Sequence, residues 1–403
     1  MPMHLILFDE PARWRSLLPF THTRPVAEIR CGIFTAAQRW ECLLALKPGY
    51  LTEAYLQEVF PLNAGEDNLY INSAVIGNSH LAQAVSLLQS GEKLMQGKEL
   101  LAFRSPDKFE NFDALYQQAA AQEIQYGNEE TILLLRQPWD IFTHNAAAIT
   151  SDAALLCRER TSQPLPTDIW VRGAENIFLE AGASIAPGVV INATEGPVYI
   201  GKAAEIMEGS LIRGPFALCS HAVLKMGAKI YGGTTIGPGC KVGGEVNNAV
   251  FFANSNKGHD GFIGNAVIGE WCNLGADTNC SNLKNNYDEV KVWSEAQNQL
   301  IATGLTFCGL LMADHAKCGI NTMFNTGTVV GVSANVFGAG FPDKFVPSFS
   351  WGDGGPGTLT YRLDKALETA ARMMGRRGQA LSDAWRKVYQ EIFDRTASQR
   401  LLI

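Results

Sequence analysis

The chain has 403 residues, 46% of them hydrophobic, and carries 33 Lys and Arg against 40 Asp and Glu, a formal net charge of −7. That length leaves room for two or three domains. The acidic balance argues against a nucleic-acid partner while leaving open a local basic cleft, and no apolar run is long enough to span a bilayer, so no membrane partner is expected. Met1–Glu10 lacks a basic stretch followed by a long apolar one, so no secretory leader is expected and the chain reads as cytoplasmic. The nine cysteines include no C-x-x-C pair and read as reduced thiols.

Residues 1–165 have the texture of an α/β layered domain. Leu5–Phe8 is a short apolar run ending at Asp9, and Thr131–Leu135 is a second. Between them lie helix-like segments, Ala36–Leu46 and Leu81–Leu88. The Pro-containing stretch Ser162–Thr167 marks the boundary.

Residues 168–350 follow a different rule. An aliphatic residue recurs at every sixth position: Ile200, Ile206, Ile212, Leu218, Leu224, Ile230, Ile236 and Val242. Neither a 3.6-residue helix nor a two-residue alternation gives that period. A parallel β-helix does, each hexad being one short strand and one corner, with three hexads to a coil of about eighteen residues. Val250, Phe262, Ile268, Leu274 and Cys280 continue the spacing, with Asn256 in the vacant slot. Thr306, Met312, Cys318, Phe324, Val330 and Val336 form a third block. The slips between blocks predict loops at Gly243–Ala249 and Leu283–Thr303. About eight coils at ~4.8 Å each give a prism roughly 35–40 Å long.

Trp351–Gly357 reads as a flexible linker, and 358–403 as a helical extension with Leu363, Leu367, Ala370 and Met374 on one face. Such a helix is suited to cover the open end of the solenoid.

The segment Asn256–Asn282, N-K-G-H-D-G-F-I-G-N-A-V-I-G-E-W-C-N-L-G-A-D-T-N-C-S-N, resembles the acetyltransferase part of bacterial bifunctional N-acetylglucosamine-1-phosphate uridyltransferase/glucosamine-1-phosphate acetyltransferases. That family is built on a left-handed β-helix of hexapeptide repeats. The resemblance implies that His259 is the catalytic base, that Asn273 and Asn282 bind substrate, and that Ala276 lies in the acetyl-CoA site. Phe262 stands where the family has a tyrosine, and Asn247 where it has a substrate-binding lysine. Leu18–Arg30 (L-P-F-T-H-T-R-P-V-A-E-I-R) and Pro138–Phe142 resemble a divergent group with a shortened nucleotidyltransferase-like first domain.

The chemistry fits the residue types. Acetyl transfer to a sugar amine needs a base to take a proton as nitrogen attacks the thioester. A free imidazole titrates near pH ~6.5 and is available for that at neutral pH. The alternative is that His259 caps a corner and the asparagines form a structural ladder. Coil stacking is expected to set Asp277 over His259. Lys225 and Lys229 are candidates for the sugar phosphate, Lys229 at the family's phosphate-binding position, with Arg213 a third; solvated lysines on an outer face are the alternative. A zinc hydratase would need two close histidines, which His221, His259 and His315 do not supply.

In the first domain, Asp9 and Arg24 are candidates for nucleotide or phosphate binding, or a structural ion pair. Leu7–Pro19 holds no glycine to wrap a triphosphate, and Asn72 offers only an amide where Mg²⁺ would want a carboxylate. Three functions stand. One is acetyl transfer from acetyl-CoA to an amino-sugar 1-phosphate on the way to UDP-N-acetylglucosamine and the cell envelope, with or without nucleotidyl transfer. Another is a Mg²⁺-dependent sugar-1-phosphate nucleotidyltransferase with a structural β-helix. The third is a non-catalytic scaffold. The resemblance also implies a homotrimer, with the acyl-CoA groove between adjacent prisms.

Overall fold

The computed structural model describes residues 2–118, 122–127, 132–158 and 160–400. It divides into two compact units, one of Met1–Ile29 and Phe34–Gln137, the other of Arg30–Ile33 and Pro138–Ile403. The division falls at Pro138 rather than in the expected stretch 162–167. The reason is that the helix Asn145–Cys157 is held by solenoid groups: Asn145 Nδ2 donates to the Gly233 carbonyl at 2.7 Å, and Ile149 and Ala153 pack with Phe178, Tyr199 and Ala217.

The first unit is α/β, with a mixed six-stranded sheet. His4–Phe8 lies parallel between Pro48–Leu51 and Asn68–Asn72. Glu99–Ser105 joins antiparallel on the far side of Asn68–Asn72, followed by Glu92–Gln96 and Gln122–Gln125. The helix Ala36–Leu44 starts where Thr35 and Gln38 form a reciprocal capping box. Of the second apolar run, Leu133–Leu134 is a short strand against Val75–Ile76, while Thr131 lies outside the described residues.

The second unit is a left-handed parallel β-helix with C-terminal helices. Every member of the six-residue series from Ile200 to Val242 is buried in one continuous core, as are Ile268, Leu274, Cys280 and the run Met312, Cys318, Phe324, Val330 and Val336. Full burial of such side chains contributes about 1.5–3 kcal/mol each.

Four expected bore positions are corrected. Phe251, Lys257 and Ile263 take the slots assigned to Val250, Asn256 and Phe262: they pair with Ile236, Val242 and Val246. Thr306 is exposed. The cause is a coil that loses residues instead of gaining a loop. Ile236 meets Phe251 after only fifteen residues, and Gly243–Ala249 runs largely in the strand Glu245–Phe251. Positive φ angles at Gly244 (+73°) and Asn248 (+47°) turn the chain in less length. The second slip is a true excursion, an antiparallel hairpin of Lys291–Ser294 and Gln299–Ala302.

The C-terminal segment forms helices Leu363–Gly375, Asp383–Arg395 and Ala397–Arg400. They run back along the flank instead of capping only the end. Arg400 Nη1 reaches the Ser348 carbonyl (3.2 Å) near the last coil, Tyr389 meets the His315 ring edge-on at 5.4 Å, and Arg377 donates to the carbonyl of Gly239 several coils earlier. No helix among the described residues is long and apolar enough to cross a membrane.

Candidate functional site

One outward row of the solenoid places four polar residues on successive rungs. Lys241 pairs with Asn256, Asn256 with Asn273, and Asn273 with Lys317. In front of this row lies a cavity of about 850 Å³, to which Lys225, His259, Ala276 and, from the C-terminal helix region, Thr369, Met373, Arg376 and Arg377 also contribute. None of the described residues lining it is acidic. Arg377 is fixed there by its bonds to the Gly239 carbonyl and to Asn256 Oδ1 (3.3 Å). Lys317 Nζ donates to the His315 carbonyl at 2.7 Å, and burial pulls its pKa down to about 8.

A second cavity, of about 690 Å³, shares Lys225, Gly258, His259 and Ala276 with the first and adds Asp260 and Asp277. His259 therefore stands exposed where a cationic chamber meets an acidic one. Its corner is shaped by Gly261, whose φ of +109° and closeness to the Thr278 carbonyl, 2.2 Å from where a Cβ would stand, admit no side chain. Because Asn256 pairs with Asn273, the coil is one residue short of eighteen. That register sets Ala276, not Asp277, over His259.

The structure thus gathers His259, Asn273, Ala276 and Lys225. It separates Asn282, whose Nδ2 donates to Asn265 Oδ1 at 2.7 Å at a different corner, a ladder of the structural kind. Lys229 is exposed on another face, where it lines a shallow pocket with Trp170, Leu211 and Tyr231. Arg213 lies in that pocket too and faces Glu195 at 3.6 Å, both more than half exposed. Phe262 lines neither chamber; its N–H donates to Asn279 Oδ1 at 2.8 Å. Sequence reasoning missed Lys241, Lys317, Arg376 and Arg377. The first two share one outward column with Asn273, which the hexad count could have revealed; nothing in the sequence ties the arginines to that column.

In the first unit, Asp9 ends the strand His4–Phe8 and is buried. Its carboxyl is held by Thr52 Oγ1 at 2.6 Å and the Val26 N–H at 3.1 Å, and burial raises its pKa to about 7. Arg24 is buried two residues before Val26. The helix Pro11–Ser16 begins almost directly after the strand, leaving no loop to wrap a triphosphate. Asn72 is consumed by its own backbone surroundings, donating to the Leu100 carbonyl and accepting from the Ala74 N–H. A lone buried carboxyl whose pKa is raised to about 7 and an engaged amide are a poor donor set for Mg²⁺. No group of three or more His, Cys, Asp or Glu able to hold a metal ion occurs among the described residues.

An α/β unit followed by a parallel β-helix is the two-part architecture that the sequence led us to expect. Comparison with known proteins agrees. The family model described as sugar nucleotidyl transferase matches residues 5–161. The chain is 31% identical over 153 residues to YaiX of Escherichia coli (strain K12), described as an uncharacterized acetyltransferase, covering 38% of this chain and 66% of that one. It is 28% identical over 145 residues to the bifunctional sugar-1-phosphate nucleotidylyltransferase/acetyltransferase of Sulfurisphaera tokodaii, covering 36% of each. With the bifunctional protein GlmU of Bartonella quintana it shares 22% over 303 residues, 72% of this chain and 62% of that protein. The chain spans less than two thirds of the length of each of these three relatives. The expected resemblance to GlmU-like bifunctional proteins is borne out.

Proposed function

We propose that the β-helix transfers an acetyl group from acetyl-CoA to the amine of an amino-sugar 1-phosphate such as glucosamine 1-phosphate. The observation that carries this is His259 at the junction of two chambers of opposite charge. The phosphates of acetyl-CoA suit the acid-free chamber, with Lys241, Lys317, Arg376 and Arg377 as its cations and Ala276 beside the thioester. A sugar ammonium suits the side that holds Asp260 and Asp277, with Lys225 between them for the acceptor's phosphate; it gives one proton to solvent to become the free amine that attacks. His259 takes a proton from the nitrogen as the C–N bond forms; the C–S bond breaks, and the proton passes to the departing thiolate. Asn273 orients the acceptor.

The test mixes protein, acetyl-CoA and glucosamine 1-phosphate and follows free thiol. Release that falls by about 10²–10⁴ in His259→Ala is expected, the usual worth of a positioned base. No release from a folded wild-type chain sinks the reading. A homotrimer is part of the same proposal, supported by the exposed apolar row Trp170, Val190 and Leu211 on consecutive rungs. An active monomer in light scattering would contradict it. Nucleotidyl transfer by the first unit is a second reading, favoured by the family match over residues 5–161. Its assay is UTP or dTTP with sugar 1-phosphates and Mg²⁺.

A further inference from the structure

Among the described residues, each bore slot that the register defines from Ile200 to Val336 holds an apolar side chain, with one exception. Lys257 pairs with Val242, and the following residue pair places it against Leu274 of the next coil. It is 1% exposed. A methionine or leucine would fill that slot without the cost of stripping water from an ammonium. The ammonium is instead saturated by three carbonyls: Gly243 at 3.1 Å, His259 at 2.7 Å and Asp260 at 3.1 Å. Three acceptors match its three N–H groups. Burial lowers its pKa to about 8, against the pull of Asp260 and Asp277.

The destination of those bonds is informative. Two of the three end on the corner residues His259 and Asp260, which lie between Gly258 and Gly261. A glycine-flanked corner has more backbone freedom to lose than any other. No described residue hydrogen-bonds the exposed His259 ring, so the backbone of its corner is what fixes the point from which the imidazole projects. Lys257 fastens that backbone from the inside of the prism.

We propose that Lys257 is a positioning residue that holds the His259 corner so the imidazole stays at the junction of the two chambers. Its consequence for turnover rests on the acetyl-transfer reading; its geometry does not.

The experiment compares wild type with Lys257→Met, which fits the bore, and Lys257→Gln, which keeps two N–H donors. For the Met variant, kcat for acetyl transfer is expected to fall about 100-fold, the scale of a misplacement near 1 Å. KM for acetyl-CoA stays within about threefold, since the cationic chamber is untouched. The Gln variant recovers about tenfold of that loss through its remaining donors. A defect that was only structural would lower activity and melting temperature together in both. Should the Met variant not fold, the Gln variant against wild type carries the same comparison. Crystal structures of wild type and variants give the second readout: residues 258–261 shifted or lost from density, with the neighbouring coils in place. Unmoved corners and wild-type kcat in the folded variants overturn the proposal. A wild-type chain that transfers no acetyl group ends the functional reading above, and the crystal structures then decide this inference alone.

Discussion

The two units bury polar groups in opposite ways. In the first, Asp9 is enclosed by neutral donors, Thr52 and the Val26 N–H, and burial moves its carboxyl toward the protonated form. In the second, Lys257 is enclosed by carbonyl oxygens that suit its charge, and the cavity on the outer wall gathers cations without an acid among its described lining residues. One unit raises the pKa of a carboxyl by burying it. The other spends buried and half-buried charge on the corner and wall of a chamber. The difference teaches how each unit handles a buried charge: the first offers its carboxyl only neutral donors, while the β-helix gives its ammonium a full set of acceptors.

That contrast can be broken or sharpened. The largest effect on stability is expected from Gly261→Ala. Its φ of +109° and the Thr278 carbonyl leave no room for a methyl group, so denaturant melts should show a loss of more than about 3 kcal/mol. A loss below about 1 kcal/mol would mean the corner adapts and that its shape is not fixed.

Asp9→Asn tests the other side. A carboxyl raised to about 7 stabilises the fold below its unfolded value near 4 and loses that contribution as pH rises through 7. The Asn variant should therefore lose the decline in stability between about pH 4 and 7, a span of about three pK units or at most roughly 4 kcal/mol, and be the more stable of the two at pH 8. If Asp9 instead holds Mg²⁺, the metal should raise the wild-type melting temperature and leave the variant unchanged, and the contrast between the units collapses.

Arg377→Ala should weaken acetyl-CoA binding by about tenfold in calorimetry, roughly 1.4 kcal/mol for one charge-assisted contact. Unaltered affinity would remove the C-terminal helices from the site. Lys229→Ala is the smallest case: on its separate face it should change neither affinity nor turnover by more than about twofold. A larger loss would return the phosphate to that face.

Much of the solenoid was legible because each hexad repeats a local instruction, and Ile200 through Val242 obey it without exception. The count failed at Lys257. A lysine in an apolar series reads as a break, so Asn256 looked like the slot and Gly243–Ala249 like a loop. Only the strand register reveals a shortened coil. Asn273 and Asn282 looked equivalent, but positions nine residues apart in a three-sided coil face different corners, one to the chamber and one to Asn265. The unit boundary was hidden for another reason. Asn145 and Asp152, which hold Gly32 and Ile33 by hydrogen bonds of 2.7 and 2.8 Å, are joined to those residues by contacts more than a hundred positions apart.

The column Lys241, Asn256, Asn273, Lys317 has a geometric corollary. Successive members are separated by one inter-strand spacing of about 4.8 Å, so the wall is graduated like a ruler whose smallest division is a whole coil. Swapping side chains changes which group is read at a mark, but the distance between marks stays the same. Lengthening the reach between Lys241 and Lys317 requires inserting an entire turn of chain, and shortening it requires deleting one. Ligand length along this wall is consequently a discrete quantity, altered by duplication or loss of a coil and insensitive to point substitution.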